Sequence, residues 1–439
     1  MTMRGMLKQG QRLKSTDGKM YYIRSLLGSG GQGEVYKVLS GSKEMALKWY
    51  YPHTATDHQK QLIKNLVKIG PPTKKFLWPE EFIEDLALKG FGYVMPLRPE
   101  KYKSIVDLMK RRVEPSFYTL SIAAIQMADS FLKLHSKGLC YRDISFGNVF
   151  FDPYNGDVLI CDNDNVTPEK SLISNVIGTP RFMAPEVVKG RSKPTIKSDL
   201  YSLSVLLFYM FMIHHPLEGK REAEIKCFDL PAMTKLYGTH PVFIFDPINS
   251  SNRPVQGFHD NAIAFWDIYP QFIKDTFTRS FTKGIRDLNN GRIGEAEWRE
   301  LLTRLKNSIL YCKCGVENFY DWDTYKRSGK PGACWACETK LSLPPRMRIK
   351  NEIIMLNANT RLFGHHISSD KIYDFKRVVG TITKHPTNPN IWGLKNMTRN
   401  PWDIRTVDGR QLRVDYGKSV TLESGVRINF GEMVGEVKI

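Results

Sequence analysis

From Cys140 to Val149 the chain reads C-Y-R-D-I-S-F-G-N-V, which sets Asp143 directly after Arg142 and five residues before Asn148. A carboxylate there can orient an attacking hydroxyl, and the amide oxygen of Asn148 can ligate a metal that neutralises phosphate charge. The chemistry this loop suits is therefore phosphoryl transfer. Ile144 and Val149 would pin it to a core and leave Asp143 and Asn148 facing a cleft. A salt-bridged surface turn explains an Arg-Asp pair equally well, so the reading depends on what stands before and after the loop.

Three further patterns could supply partners. Gly28, Gly30 and Gly33 lie between a strand at Met20–Leu27 and the apolar alternation of Val35–Leu39. A dinucleotide fold would need a helix opening at the third glycine, whereas strand, turn and strand let backbone fold over phosphates or simply make a glycine-rich hairpin. Lys48 ends the short apolar strand Met45-Ala46-Leu47. It needs an anion if buried, which nucleotide phosphates would supply, or else it reaches solvent from an edge. The third pattern, Asp162-Asn163-Asp164, closes a strand at Val158–Cys161 and is either a magnesium-holding pair or a polar turn.

The elements that would position these residues are legible from periodicity. A helix over Thr54–Ile69 carries Leu62, Leu66 and Ile69 on one face and stops at Gly70-Pro71-Pro72. Strands at Phe82–Ala87 and from Gly92 lead into a linker where Pro96 removes a backbone donor after Met95. Helices follow at Ser104–Arg112 and Tyr118–Ser136, and the second delivers the chain into the 140–149 loop. Asp199 opens an apolar helix running to Ile213. A surface loop from Asp246 interrupts the stretch between Pro216 and Thr278, and Trp298, Leu301, Leu302, Leu305 and Ile309 form a last apolar stripe.

A chain of 439 residues suggests two or three domains, and 41% hydrophobic with 25% charged residues is a globular composition. The net charge of +19 is dispersed and reads mainly as solvated surface, with some of it facing phosphates. The start lacks the apolar core of a signal peptide, and the longest apolar run, Val205–Ile213, is too short to span a bilayer, so no membrane association is expected. Cys140, Cys161 and Cys227 are isolated while four cysteines cluster later, which fits a reducing cytoplasm with a metal site.

In order, Gly28, Gly30, Gly33 and Val35, then Ala46 and Lys48, Arg142-Asp143 with Asn148, Asp162, Ala184-Pro185-Glu186 and Asp199 resemble the eukaryotic-type protein kinase fold over about residues 20–310. The resemblance implies that Lys48 holds the phosphates of ATP, with Gly28, Gly30, Gly33, Val35, Ala46, Met95 and Leu97 around the nucleotide. It makes Asp143 the catalytic base, beside Arg142, and Asn148 with Asp162 the ligands of Mg2+ or Mn2+. Asp199 would brace the loop, Glu186 would pair with Arg292, and Thr179 in Gly178-Thr179-Pro180 would favour serine or threonine as acceptor. This sequence departs from the pattern at Tyr141, where histidine is usual, and at Ser145, where lysine is. It reads D-N-D for the usual D-F-G, and the helix over Thr54–Ile69 holds no glutamate for Lys48, only Asp57, Gln59, Gln61 and Asn65. Loss of that ion pair weakens activity in the family.

Cys312, Cys314, Cys334 and Cys337 form two close pairs around a polar stretch, the pattern of a tetrahedral Zn2+ ribbon that builds its fold around the metal. After Pro344-Pro345, strands at Val378–Ile382, Ile391–Leu394, Leu412–Val414, Val420–Leu422 and Val426–Phe430 predict a β-sandwich or barrel. Its ending from Gly417 resembles a forkhead-associated domain, although Gly364-His365-His366 is a poor substitute for a phosphothreonine grip. The expected fold is thus α+β: a basic leader over 1–19, a bilobal kinase over 20–310 divided at 97, a zinc ribbon over 311–345 and a β-sandwich over 346–439.

The phrases G-P-P-T-K-K-F-L-W-P from Gly70, Y-R-D-I-S-F-G-N-V-F-F-D from Tyr141 and F-I-F-D-P from Phe243 are similar to bacterial and phage kinases of tellurium-resistance stress clusters. That resemblance implies a von Willebrand A-type protein and a PP2C-like phosphatase as partners, besides a protein substrate. Thr167, Ser171 and Ser174 are candidate autophosphorylation sites with Arg142 to receive the phosphate. The alternative is a nucleotide-binding pseudokinase scaffold acting through its ribbon and β domain, with nucleic acid as a less favoured ligand of the ribbon.

Overall fold

The computed structural model describes residues 5–169, 178–370, 373–388 and 390–439. They divide into two compact units: one runs up to Glu114, from Ser130 to Ala262 and from Phe277 to Glu295, and the other comprises Pro115–Asp129, Ile263–Thr276 and Ala296–Ile439.

In the first unit a six-stranded antiparallel sheet takes the spatial order Arg12–Lys14, Met20–Ser29, Gly33–Ser40, Lys43–Tyr50, Gly90–Pro96, Glu81–Asp85. Alternating side chains put Tyr21, Ile23, Tyr36, Val38, Leu47, Ile83 and Val94 into one core. The glycine-rich stretch is the hairpin between the second and third of these strands. Gly33 is required there sterically, because a Cβ would meet the Trp49 carbonyl oxygen at 2.2 Å. The helix Asp57–Ile69 begins three residues later than its apolar spacing predicts, because the Thr56 side chain accepts from Gln59 N and caps it. Gly70, at φ 68°, ends it, and Trp78 Nε1 donates to the Leu66 carbonyl at 2.8 Å.

The helical part of this unit is organised by Ile196–Met212, in which every residue from Ser198 onward is buried. A reciprocal pair between Thr195 and Ser198 caps it, and Phe208 packs edge-on against Phe243, Phe277 and Phe281. The stretch after Pro216 is more than an exposed loop. Ile248 is exposed, but Asn252 is fully buried and its amide donates to the carbonyls of Leu217 and Val242 at 2.9 and 2.7 Å.

In the second unit a two-stranded ribbon, Ile309–Tyr311 with Glu317–Phe319, precedes the helix Trp322–Ser328. Two sheets follow, one of six strands and one of four. Met347, Ile349, Trp402, Ile404 and Ile428 from the first share a core with Leu362, Val379, Leu394 and Val420 from the second, so the β-rich tail is a sandwich. Pro115–Asp129 belongs here because Phe117 packs on Tyr269, Phe319 and Trp335, a long-range cluster that periodicity does not reveal. His366 is no surface ligand: it is 3% exposed, its Nδ1 accepts from Phe363 N at 2.9 Å and its Nε2 meets Asn307 Oδ1 at 3.1 Å. Among the described residues no helix is long and apolar enough to cross a membrane.

Candidate active site

The 140–149 loop hangs from one buried carboxylate. Asp199, 1% exposed in the helix Ile196–Met212, accepts from Tyr141 N at 2.6 Å and from Arg142 N at 2.9 Å. These bonds hold Arg142 at φ 75°, a left-handed backbone that a non-glycine residue adopts only when its surroundings impose it. His135 Nε2 adds a contact to Asp199 at 3.1 Å while its Nδ1 bonds Glu295. Burial disfavours the imidazolium, but the hydrogen bonds to Asp199 and Glu295 outweigh it and push His135 up to about 9.

Beyond that brace, Asp143 Oδ1 accepts from Thr179 N at 3.0 Å and Thr179 Oγ1 at 2.9 Å. Asn148 Nδ2 donates to the Asp143 carbonyl at 2.7 Å and to its Oδ2 at 3.2 Å. The amide nitrogen of Asn148 is thereby committed to Asp143, which leaves its oxygen as the atom that could ligate a cation. Gly178, at φ +102°, lets Thr179 approach, since a Cβ there would meet the Arg142 carbonyl at 2.9 Å. Tyr141 stands where histidine is usual and donates its hydroxyl to the Cys161 carbonyl. Glu186 Oε2 meets Arg292 Nη2 at 2.7 Å, with Arg292 Nη1 on the Lys197 carbonyl at 2.6 Å.

Lys48 is 6% exposed. Its Nζ lies 2.6 Å from Asp162 Oδ1, 2.7 Å from Asp164 Oδ2 and 3.0 Å from Gln32 Oε1. Burial opposes the ammonium, but the two carboxylates outweigh it and raise Lys48 above its ordinary value. The carboxylates separate: burial and the neighbouring Asp162 push Asp164 up, whereas Lys48 holds Asp162 down against its own burial. Asp162 has the left-handed φ of 52°. Asn163, in place of the usual phenylalanine, is fully buried and donates its amide to the carbonyls of Leu77 and Ile160 at 2.9 and 3.0 Å. Ala46 pairs across strands with Met95, and Val35 with Lys48, so these side chains share one surface of the sheet with the glycine hairpin.

The sequence reading missed Gln32, Tyr50 and Asp164 as the residues around Lys48. Tyr50 was within reach of pattern reasoning, since positions 48 and 50 of one strand share a face. Of the polar candidates on the helix Asp57–Ile69, Gln59 comes nearest: its Nε2 donates to the Tyr50 hydroxyl and to the Asp164 carbonyl, both at 3.1 Å. Thr167 is 1% exposed in a strand paired with Cys140, so burial removes it as a phosphate acceptor. Ser171 and Ser174 lie outside the described residues.

In the second unit the sulfurs of Cys312, Cys314, Cys334 and Cys337 all lie within 4.8 Å of one another. Cys312 and Cys337 are 3.6 Å apart, and Cys314 and Cys334 3.8 Å. Four thiolates bonded at about 2.3 Å around a tetrahedral ion stand about 3.8 Å from each other, so this donor set fits zinc in type and spacing. Gly315, at φ 86°, closes the first turn, and Asn318 Nδ2 reaches Cys334 Sγ at 3.4 Å.

A family model described as the protein kinase domain matches residues 21–267. The chain is 28% identical over 202 residues to the dual specificity mitogen-activated protein kinase kinase jkk-1 of Caenorhabditis elegans, covering 43% of this chain and 45% of that protein. It is 26% identical over 215 residues to the cell cycle serine/threonine-protein kinase CDC5/MSD2 of Saccharomyces cerevisiae, covering 47% and 30%. With the serine/threonine-protein kinase PknD of Protochlamydia amoebophila it shares 25% identity over 325 residues, 65% of this chain and 32% of that one. The chain spans less than half the length of each of these relatives. With the matched segment covering more than half of its length and carrying the whole Lys48–Asp143–Asp199 arrangement, the chain belongs to the protein kinase family.

Proposed function

We propose that the protein is an ATP-dependent serine/threonine protein kinase. The observation that carries this is the setting of Asp143, whose carboxylate takes hydrogen bonds from Thr179 and Asn148 in the same unit as the buried Lys48 and its ion pair with the partly exposed Asp162. In this reading Asp143 orients the acceptor hydroxyl and takes its proton as the oxygen bonds to the γ-phosphorus and ADP departs. Lys48 holds the non-transferred phosphates under the Gly28–Gly33 hairpin, and Val35, Ala46, Met95 and Leu97 flank the base. Asn148 and Asp162 would hold magnesium or manganese, which supplies charge neutralisation on the phosphates. The Thr179 hydroxyl on Asp143 supports serine and threonine over tyrosine as acceptors.

The four cysteines support a structural zinc ion. The ribbon and sandwich then serve to recruit substrate or regulators, and the tellurium-cluster phrases support a cytoplasmic stress role with a von Willebrand A-type protein and a PP2C-like phosphatase nearby. Phosphoamino-acid analysis after incubation with magnesium and radiolabelled ATP tests the central reading. Phosphoserine or phosphothreonine that disappears in Asp143→Asn is expected. Phosphotyrosine alone, or label that persists in the variant, would overturn it.

A further inference from the structure

Lys48 lacks the glutamate that a helix beside it would offer, yet it is buried and charged, so its compensating charge must come from elsewhere. We propose that Asp164 is the positioning residue of this site, taking over from the helix the task of holding Lys48 toward the phosphates. The inference rests on the kinase reading above and adds a division of labour between the two acidic residues of the D-N-D sequence.

The two carboxylates contact the same ammonium but differ in exposure and in their further partners. The Asp162 side chain is 36% exposed, whereas that of Asp164 has no exposure at all. Asp164 Oδ2 also accepts from the Tyr50 hydroxyl, and the Asp164 backbone carbonyl accepts from Gln59 at 3.1 Å. Its carboxylate is therefore held by two groups of one strand, Lys48 and Tyr50, and its backbone by Gln59 of the helix Asp57–Ile69. Asp162, by contrast, sits on the open side, where it can exchange Lys48 for a cation. When it does, Asp164 keeps Lys48 compensated and aimed. A glutamate on the helix would give one anion for the lysine; here a second anion beside the metal-facing aspartate does the same, and the helix acts through the neutral amide of Gln59. Gln32, from the glycine hairpin, completes the cluster, with its Oε1 3.0 Å from Lys48 Nζ and its Nε2 3.1 Å from Asn165 Oδ1. The hairpin, the lysine and the D-N-D segment are thus joined by one polar network.

The test compares the full chain with Asp164→Asn, Gln59→Glu and the double variant in steady-state phosphoryl transfer from Mg-ATP. Asp164→Asn is expected to lower kcat about 10- to 100-fold with KM for ATP changed less than threefold, because it misplaces a group rather than removing a ligand. Adding Gln59→Glu, which restores a carboxylate on the helix, is expected to recover at least fivefold of that loss; a role confined to packing would gain nothing from the added charge. The proposal is overturned if Asp164→Asn stays within twofold of the parent, or if its loss is not relieved by Gln59→Glu. Absence of transfer in the parent chain would instead count against the kinase reading. The role of Asp164 is then decided by a thermal double-mutant cycle with Lys48→Met, where losses smaller together than in sum support the pair and additive losses overturn it.

Discussion

Asp199→Asn is a small change with a large expected effect. The carboxylate of Asp199 accepts from Tyr141 N at 2.6 Å, Arg142 N at 2.9 Å and His135 Nε2 at 3.1 Å, and it is almost wholly buried. Asparagine fits the same space but turns one acceptor oxygen into a donor, so one buried backbone N–H loses its partner at about 1–3 kcal/mol. The charge-assisted bond to His135 is lost as well, at about 1.5–3 kcal/mol. Allowing for relaxation, the total is about 3–5 kcal/mol, a fall in melting temperature of roughly 6–20 °C for a unit of this size. Activity should fall further than stability. The strained φ of 75° at Arg142 is held by these bonds, and if it relaxes Asp143 shifts with it, at on the order of 100-fold in rate for a displacement near 1 Å. Urea unfolding and initial transfer rates, both at 25 °C, read the two effects. A loss under about 1 kcal/mol with a rate within threefold of the parent would refute the brace.

Three other outcomes are expected. His135, about 9 in the folded chain against an unfolded value near 6.5, contributes stability that is fully present below pH ~6.5 and lost as pH rises through about 9, on the order of 2–3 kcal/mol. Unfolding compared between pH 6 and 9.5 in the parent and His135→Gln should show that slope only in the parent. Lys306, brought down to about 7 by burial, has its Nζ 5.4, 5.6 and 5.8 Å from the rings of Phe363, Phe375 and Tyr118. Because it is charged in the unfolded chain at pH 7.5 and disfavoured as a cation in the folded one, Lys306→Met should stabilise the protein by about 1–3 kcal/mol after allowing for cation–π attraction, and destabilisation in a thermal melt would contradict this. Elemental analysis should find zinc in the purified chain, and a strong chelator or Cys334→Ser should lower its melting temperature; a chain that melts unchanged without metal would remove the zinc site.

Much of the first unit was legible because its chemistry depends on residue types at ordered positions. Asp143, Asn148 and Lys48 stand beside chain turns and strand ends that glycine, proline and apolar alternation mark locally. The partner of Lys48 was not legible, since the helix Asp57–Ile69 and the D-N-D segment meet only after folding, and the motif order that marks Asp162 for the metal says nothing of Asp164 contacting the lysine. Asn163 illustrates the same limit: the sequence shows a phenylalanine missing, and only the fold shows its amide bonded to Leu77 and Ile160. In the second unit the cysteine pairs and strand alternation were visible, but the membership of Pro115–Asp129 depends on Phe117 meeting Phe319 and Trp335 across long sequence separations.

The most direct measurement is the single-turnover rate of γ-phosphate transfer from Mg-ATP to protein hydroxyls in the parent chain and in Asp143→Asn. Time-dependent phosphorylation of serine or threonine, slowed in the variant by about 10²–10⁴-fold while the chain stays folded, is the predicted result. Equal rates in the two proteins, or ATP binding with no transfer by the parent, would contradict the account.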